Sequence, residues 1–216
     1  MTSNATWLAA WATVLILAGY EALLALAQRR HPERLARTAH AALREEWFAA
    51  VSAQVGSELL AVQTLRNSLM SATMAASTAA LGLMGTATLA VPALHASIDA
   101  ATDLPIFTAR LALELLLLAV LLASLVASVT AVRYYHHASF ICAMPVGSAT
   151  RERWRAVGSA YVRRAGVLYS WGLKHLVLVV PLLASILHPL AGPVAAVLVV
   201  AALVGFDRFG PGDALG

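Results

Sequence analysis

Residues 106–132 read IFTARLALELLLLAVLLASLVASVTAV, a run in which only Arg110 and Glu114 carry a charge. The hydrocarbon core of a bilayer is about 30 Å thick and needs roughly 20 apolar residues in an α-helix. Lipid offers no hydrogen-bond partners, so the backbone of such a run must satisfy itself as a helix. Leucine and alanine dominate the run, which excludes the alternating pattern of a barrel strand. The run therefore predicts a membrane-spanning helix.

The rest of the chain has the same character. Of its 216 residues, 60% are hydrophobic and 12% are charged, whereas a soluble domain carries roughly 25% charged residues. Three further apolar blocks occupy residues 7–27, 66–94 and 166–206. We therefore predict a single all-α domain over residues 1–216, a polytopic transmembrane bundle of about four spans with cytoplasmic amphipathic helices.

The last apolar block is too long for one straight span. It contains Pro181, Pro189 and Pro193, and proline interrupts a helix because it lacks a donor and clashes with the preceding turn. Residues 166–206 therefore predict either one kinked span or a hairpin of two shorter segments.

The segments between the blocks differ in charge. Residues 28–65 and 133–165 are rich in arginine, whereas residues 95–105 contain no lysine or arginine. Basic loops stay in the cytoplasm, so we expect a multi-pass protein of the cell's inner (plasma) membrane with its N-terminus outside. We expect residues 7–27 to be an uncleaved span, because no basic residue precedes them and Glu21 interrupts them.

The first basic segment contains an apolar residue at every fourth position. This periodicity predicts an amphipathic helix that packs beneath the bundle or lies on the membrane surface, and we favour packing beneath it. The residues concerned are Leu35, Ala39, Leu43, Trp47, Val51, Val55 and Leu59.

The second span has one small and polar face. At about 100° per residue, Asn67, Ser71, Thr78, Gly82 and Gly85 fall close together on a helical wheel. The opposite side carries Leu69, Ala76, Leu83 and Ala87 and is expected to face lipid. Small polar residues allow close helix packing with hydrogen bonds across the contact, whereas hydroxyl groups can also line a hydrated pathway. Both interpretations remain open.

Charged residues at membrane depth are costly unless they are paired or hydrated. Glu21 and Arg66 are expected to pair at the cytoplasmic boundary, and Arg110 and Glu114 to pair at spacing i, i+4. Lys174 is close enough to a helix end to extend its ammonium group to the interface. A broad face of the third span, with Glu114, Leu121, Ser124, Ser128 and Tyr135, is expected to complete a polar route.

The sequence contains no catalytic motif. It has no phosphate-binding glycine loop, no His-Glu-x-x-His and no Gly-x-Ser-x-Gly. Adjacent residues His136 and His137 point about 100° apart on a helix, which disfavours a shared metal. The single cysteine, Cys142, excludes an intramolecular disulfide framework. We therefore expect no enzymatic activity, no cofactor and no metal site.

Residues 60–73, LAVQTLRNSLMSAT, resemble a hallmark segment of the domain-of-unknown-function 599 family, integral membrane proteins of bacteria and plants. Similar stretches occur at Arg44 to Trp47, at Arg133 to Pro145, and in Gly166-x-x-Tyr169 with its following prolines. The closing Phe206-Asp207 is also similar, so the resemblance covers nearly the whole chain. It implies a multi-span membrane fold and supplies no activity.

Two functions fit these patterns. The first is a homo-oligomeric channel or transporter for small ions. Its cytoplasmic ring would be Arg66 and Asn67, its wall Ser71 and Thr78, and its flexible outer half Gly82 and Gly85. The second is a non-transporting scaffold whose basic loops bind anionic lipid headgroups or a partner protein. Nucleic acid is not an expected partner.

Overall fold

The computed structural model describes residues 3–30, 36–99 and 108–207, and within these residues every element is an α-helix. Four of the helices, α1, α3, α4 and α5, are long and apolar enough to cross a membrane. The prediction of an all-α bundle with about four spans is confirmed. The helices are α1 (Ser3–Arg30), α2 (Ala36–Ala53), α3 (Glu58–Asp99), α4 (Ala109–Ala143), α5 (Ala149–Leu187) and α6 (Ala191–Asp207).

Helices α3, α4 and α5 extend well beyond the hydrocarbon core of a membrane. The 42 residues of α3 extend for about 63 Å at 1.5 Å per residue, twice the roughly 30 Å of a hydrocarbon core. Helix α4 continues past Val132 to Ala143, and α5 begins at Ala149, well before its apolar block. We call residues 36–65 and 133–165 the basic layer. It consists of α2 and of the ends of α3, α4 and α5 that extend beyond the apolar blocks.

The proline-rich block consists of two helices joined by a tight turn. Pro181 lies inside α5, which ends at Leu187, and α6 begins at Ala191. A Cβ added at Gly192 would lie 2.5 Å from the Ser185 Cβ and 2.6 Å from the Thr13 Oγ1, so α1, α5 and α6 approach closely there. Of the two alternatives for residues 166–206, the structure shows the hairpin.

Helices α4 and α5 pack closely through small residues. The Ser124 hydroxyl donates to the Gly172 carbonyl across 2.8 Å, and a Cβ at Gly172 would collide with the Ser128 hydroxyl. Small residues of this kind let two helices approach within membranes. The expected polar route on the third span is wrong, because the α4 face that carries Glu114, Leu121, Ser124, Ser128 and Tyr135 is buried.

Helix α3 packs against α4 through alanines. Ala61, Ala72 and Ala79 are completely buried, while Leu69 and Leu83 pack against the core. The expectation that this side faces lipid is wrong. Small side chains favour the helix contact because they let the two backbones come close.

Helix α2 packs beneath the bundle, as favoured from the sequence, and Val51 and Trp47 of the predicted stripe pack in the core there. Phe48 is buried, and its ring fills the space where Gly158 of α5 lacks a side chain. Leu43, Val55 and Leu59 of the predicted stripe are exposed, and Leu35 lies outside the described residues. Val55 and Leu59 lie beyond the end of α2 at Ala53, so the predicted stripe does not continue as one helix face.

Candidate functional site

Four predicted pathway residues form a row on the outer surface of α3. Asn67, Ser71, Thr78 and Gly85 are all exposed, and we call this row the polar stripe. Gly82 is different, because a Cβ there would lie 3.0 Å from the Leu121 Cδ2 of α4. Gly82 is therefore a packing position at the edge of the stripe.

Arg66 is also exposed, but it does not belong to the polar stripe. Consecutive residues of a helix point about 100° apart, so Arg66 lies well round the helix from Asn67. The two side chains do not face one common line along α3.

The hydroxyl groups of the stripe are bonded within their own helix. The Ser71 hydroxyl donates to the Asn67 carbonyl across 3.1 Å, and the Thr78 hydroxyl donates to the Met74 carbonyl across 3.0 Å. Such bonds to the preceding turn satisfy the donor without water. The oxygen lone pairs remain available, so the stripe can accept hydrogen bonds from a neighbouring molecule.

Flexible apolar side chains flank and interrupt the polar stripe, with Met74 only about 20° from Asn67 on the helical wheel. Met70, Met74 and Met84 of α3 are each more than half exposed. Methionine adapts to different surfaces because its side chain is unbranched and polarisable. This flank is suited to contact with lipid or with another helix.

An ion pair joins α1 to α5 at membrane depth. The Lys174 ammonium donates to the Glu21 Oε2 across 2.7 Å, and it lies 5.9 Å from the ring centroids of Tyr20 and Trp171. The Lys174 side chain is only 10% exposed, against 40% for Glu21. The expected pairing of Glu21 with Arg66 and the expected extension of Lys174 to the interface are therefore both wrong.

Depth explains this pairing. Lys174 comes eight residues after Gly166, and Glu21 comes nine residues before Arg30, so each lies about 12–14 Å from its basic end at 1.5 Å per residue. Arg66 is the first residue of its span and lies at the membrane boundary, too far along the membrane normal to reach Glu21. Counting residues from the basic ends of the spans would have found the correct partner.

The second predicted ion pair is confirmed. The Arg110 Nε donates to the Glu114 Oε1 across 2.8 Å within α4. Glu114 is buried and Arg110 is exposed. The pair neutralises a carboxylate that would otherwise be costly at membrane depth.

A buried arginine holds the basic layer together. Arg151 is 1% exposed, and its guanidinium donates to the carbonyls of Cys142, Met144 and Val51. These carbonyls lie at the C-terminal ends of α4 and α2, where a helix has acceptors without intrahelical donors. Arg151 therefore has a structural role.

A cavity of about 270 Å³ opens where the basic layer meets the spans. Its lining is mostly apolar, with one guanidinium, two aliphatic hydroxyl groups and one phenol. Sequence reasoning missed it, because its residues come from four helices far apart in the chain. The lining residues are Leu43, Arg44, Trp47, Thr64, Leu65, Ser68, Tyr135 and Val162.

One comparison with known proteins confirms the family resemblance found in the sequence. The model of the family described as "Protein of unknown function, DUF599" matches residues 8–211. No curated protein and no solved structure matches the chain. The chain therefore belongs to the DUF599 family of proteins of unknown function.

Proposed function

We propose that the chain assembles as a homo-oligomeric channel or transporter for small ions, in which the polar stripe of α3 lines the pathway. The observation that carries this proposal is the exposure of the stripe. Asn67, Ser71 and Thr78 follow one line along a membrane-spanning helix, and no other helix covers them within the described residues. Lipid tails offer these polar groups no partners, whereas a hydrated axis between copies does.

The interior of one chain is a poor place for a pathway. The polar residues of α4 are buried in helix contacts, as the contact of Ser124 and Ser128 with Gly172 illustrates. The free polar surface lies on the outside of α3. A route lined by this surface requires several copies of the chain around a common axis.

Exposed leucine in the basic layer supports assembly. Leu60 is 65% exposed and lies at nearly the same angle on α3 as Thr78, 18 residues further on, because 18 residues complete five turns. Leu60 precedes the apolar block at residues 66–94 by two turns, so lipid tails do not cover it. Contact between copies along α3 would remove this apolar surface from water.

Ion flux into liposomes tests the proposal. The protein is reconstituted and flux is measured for wild type and for Asn67→Leu and Thr78→Leu. We expect both substitutions to reduce flux at least tenfold, because leucine narrows the axis and removes the polar groups that replace ion hydration.

Thr73→Leu is the matched control for Thr78→Leu. Thr73 is also an exposed residue of α3 whose hydroxyl donates to the carbonyl four residues earlier, but it points about 140° away from Thr78. We expect its flux to equal that of wild type. Unchanged flux in both stripe variants would contradict the pathway, provided that they keep the wild-type oligomer size.

The second candidate is a non-transporting scaffold. One observation favours it: the hydroxyl groups of the stripe already donate to their own backbone, so a dry contact between helices can hold them. A scaffold would form the same oligomer, yet the wild-type protein would conduct no ions. Flux and oligomer size measured on one preparation separate the two candidates.

A further inference from the structure

We propose that the cavity beside Arg44 is a binding site for one anionic phospholipid. The guanidinium of Arg44 would hold the lipid phosphate, and the aromatic and aliphatic lining would hold the first part of an acyl chain. This proposal does not depend on ion transport or on assembly of the chain.

The guanidinium is held in a defined position. A Cβ built on Gly166 of α5 would lie 2.5 Å from the Arg44 Cζ, Nε and Nη1 atoms. The group therefore lies against the bare backbone of Gly166, which leaves its planar donors at the side of the cavity. Arginine donors in a planar fork match the oxygens of a phosphate.

No carboxylate of the described residues neutralises the charge of Arg44. Within the described residues, Arg155 and Arg163 of the basic layer pair with Glu152 and Glu45, whereas no carboxylate forms an ion pair with Arg44. Its guanidinium makes one long hydrogen bond, 3.3 Å to the His40 carbonyl of the preceding turn. Most of its five donors therefore remain available to an anion.

The cavity lies at the depth of lipid headgroups. Gly166 begins the apolar block of α5, and Leu65 immediately precedes that of α3, so both mark the edge of the spans. Trp47 and Tyr135 also line the cavity, and aromatic residues of this kind are frequent at membrane interfaces.

The lining favours a lipid over a free phosphate. A phosphate ion needs polar partners on all sides, but Leu43, Leu65 and Val162 form much of the cavity wall. Ligand sites of this composition bind molecules that are largely apolar with one or two polar groups. Leu43 is also 62% exposed, which leaves an apolar edge along which an acyl chain can pass.

Lipid binding can be measured on the full chain. The protein is placed in phosphatidylcholine nanodiscs, and its unfolding temperature is followed as phosphatidylglycerol is added. A ligand that binds the folded state raises this temperature. We expect saturable stabilisation of wild type, with one retained phosphatidylglycerol per protomer in native mass spectrometry.

Two variants remove the site in different ways. Arg44→Gln removes the charge, and Gly166→Ala keeps the charge but displaces the guanidinium with a methyl group. We expect each to weaken phosphatidylglycerol binding at least tenfold, the effect of one charge-assisted hydrogen bond or more. Unfolding temperatures in phosphatidylcholine alone show whether each variant is folded.

Arg153→Gln is the control, because Arg153 is an exposed arginine of the basic layer that does not line the cavity. We expect it to bind phosphatidylglycerol as wild type does. Equal losses in Arg153→Gln and Arg44→Gln would overturn the proposal in favour of diffuse surface attraction. Stabilisation by inorganic phosphate alone, equal to that by the lipid, would overturn it in favour of a free-anion site.

Discussion

The carboxylate of Glu21 and the ammonium of Lys174 lie 2.7 Å apart, although 153 residues separate them in the chain. Of the ion pairs within the described residues, this one alone connects α1 to another helix. The other contacts of α1 are mainly with the short helix α6, as at Thr13 and Gly192. The pair therefore fixes how far α1 sits into the membrane relative to α5.

Neutralising one partner of this pair should destabilise the protein. Glu21→Gln leaves the Lys174 ammonium unpaired among apolar groups, at a cost of about 2–3 kcal/mol. Lys174→Gln leaves the carboxylate in the same position. Unfolding in mixed detergent micelles measures both variants.

The double variant Glu21→Gln with Lys174→Gln tests whether the stabilisation comes from the pairing of the two charges. It removes both charges, and two amides can still form one hydrogen bond, so we expect it to be more stable than either single variant. If it proves less stable than both, the stabilisation does not come from pairing of the charges.

Arg151 should tolerate no substitution, including lysine. Lysine keeps the charge, but its one compact ammonium lacks the two separate Nη atoms with which Arg151 reaches the carbonyls of α4 and α2. We therefore expect Arg151→Lys to lose about 2–3 kcal/mol and Arg151→Met to lose more. Thermal unfolding measures this loss. Arg153→Lys, at an exposed neighbour, should unfold as wild type does.

Cysteine labelling can show whether the polar stripe is hydrated. Thr78→Cys places a thiol twelve residues beyond Arg66, and Leu122→Cys places one at similar depth on the exposed side of α4, eleven residues before Arg133. A water-soluble thiol reagent needs the thiolate, so we expect labelling at residue 78 and none at residue 122. The native Cys142 is fully buried and adds little background. Two unlabelled variants would mean that the stripe is dry.

Two glycines should respond oppositely to alanine. Gly172→Ala pushes a methyl group into Ser128 at the α4–α5 contact, and overpacking of this kind costs about 1–3 kcal/mol. Gly85 has nothing within 4 Å of an added Cβ, so Gly85→Ala should gain up to about 1 kcal/mol from helix propensity. Thermal unfolding of the two variants tests this contrast, and a loss of stability in Gly85→Ala would show that another surface packs there.

The spans were predictable because each depends on local composition alone. Hydropathy over about 20 residues identifies a span whatever its neighbours are, and the Arg110–Glu114 pair follows from helix geometry within one element. The extensions of the helices beyond the spans were harder to predict. Arginine is a good helix former, but its charge marks only where a segment leaves the membrane and not where the helix ends.

The orientation of α3 was not predictable from its polarity. Inside a membrane, alanine at 72 or 79 packs against a helix while methionine at 70 or 74 remains outside, although both types count as apolar. The Arg44 cavity was hidden for a different reason, since the position of its guanidinium depends on the missing side chain of Gly166, 122 residues later.

The continuity of α3 between the cavity and the polar stripe has a mechanical consequence, because Pro92 inside this helix lies beyond both. Thr64 and Ser68 face the cavity, while Asn67 and Ser71 lie on the polar stripe, and no turn or hinge separates them in a single helix from Glu58 to Asp99. A helix transmits torque along its axis, so an occupant that rolls α3 at the cavity turns every residue of the stripe by the same angle. The cavity and the polar stripe would then move together, as parts of one rigid helical segment.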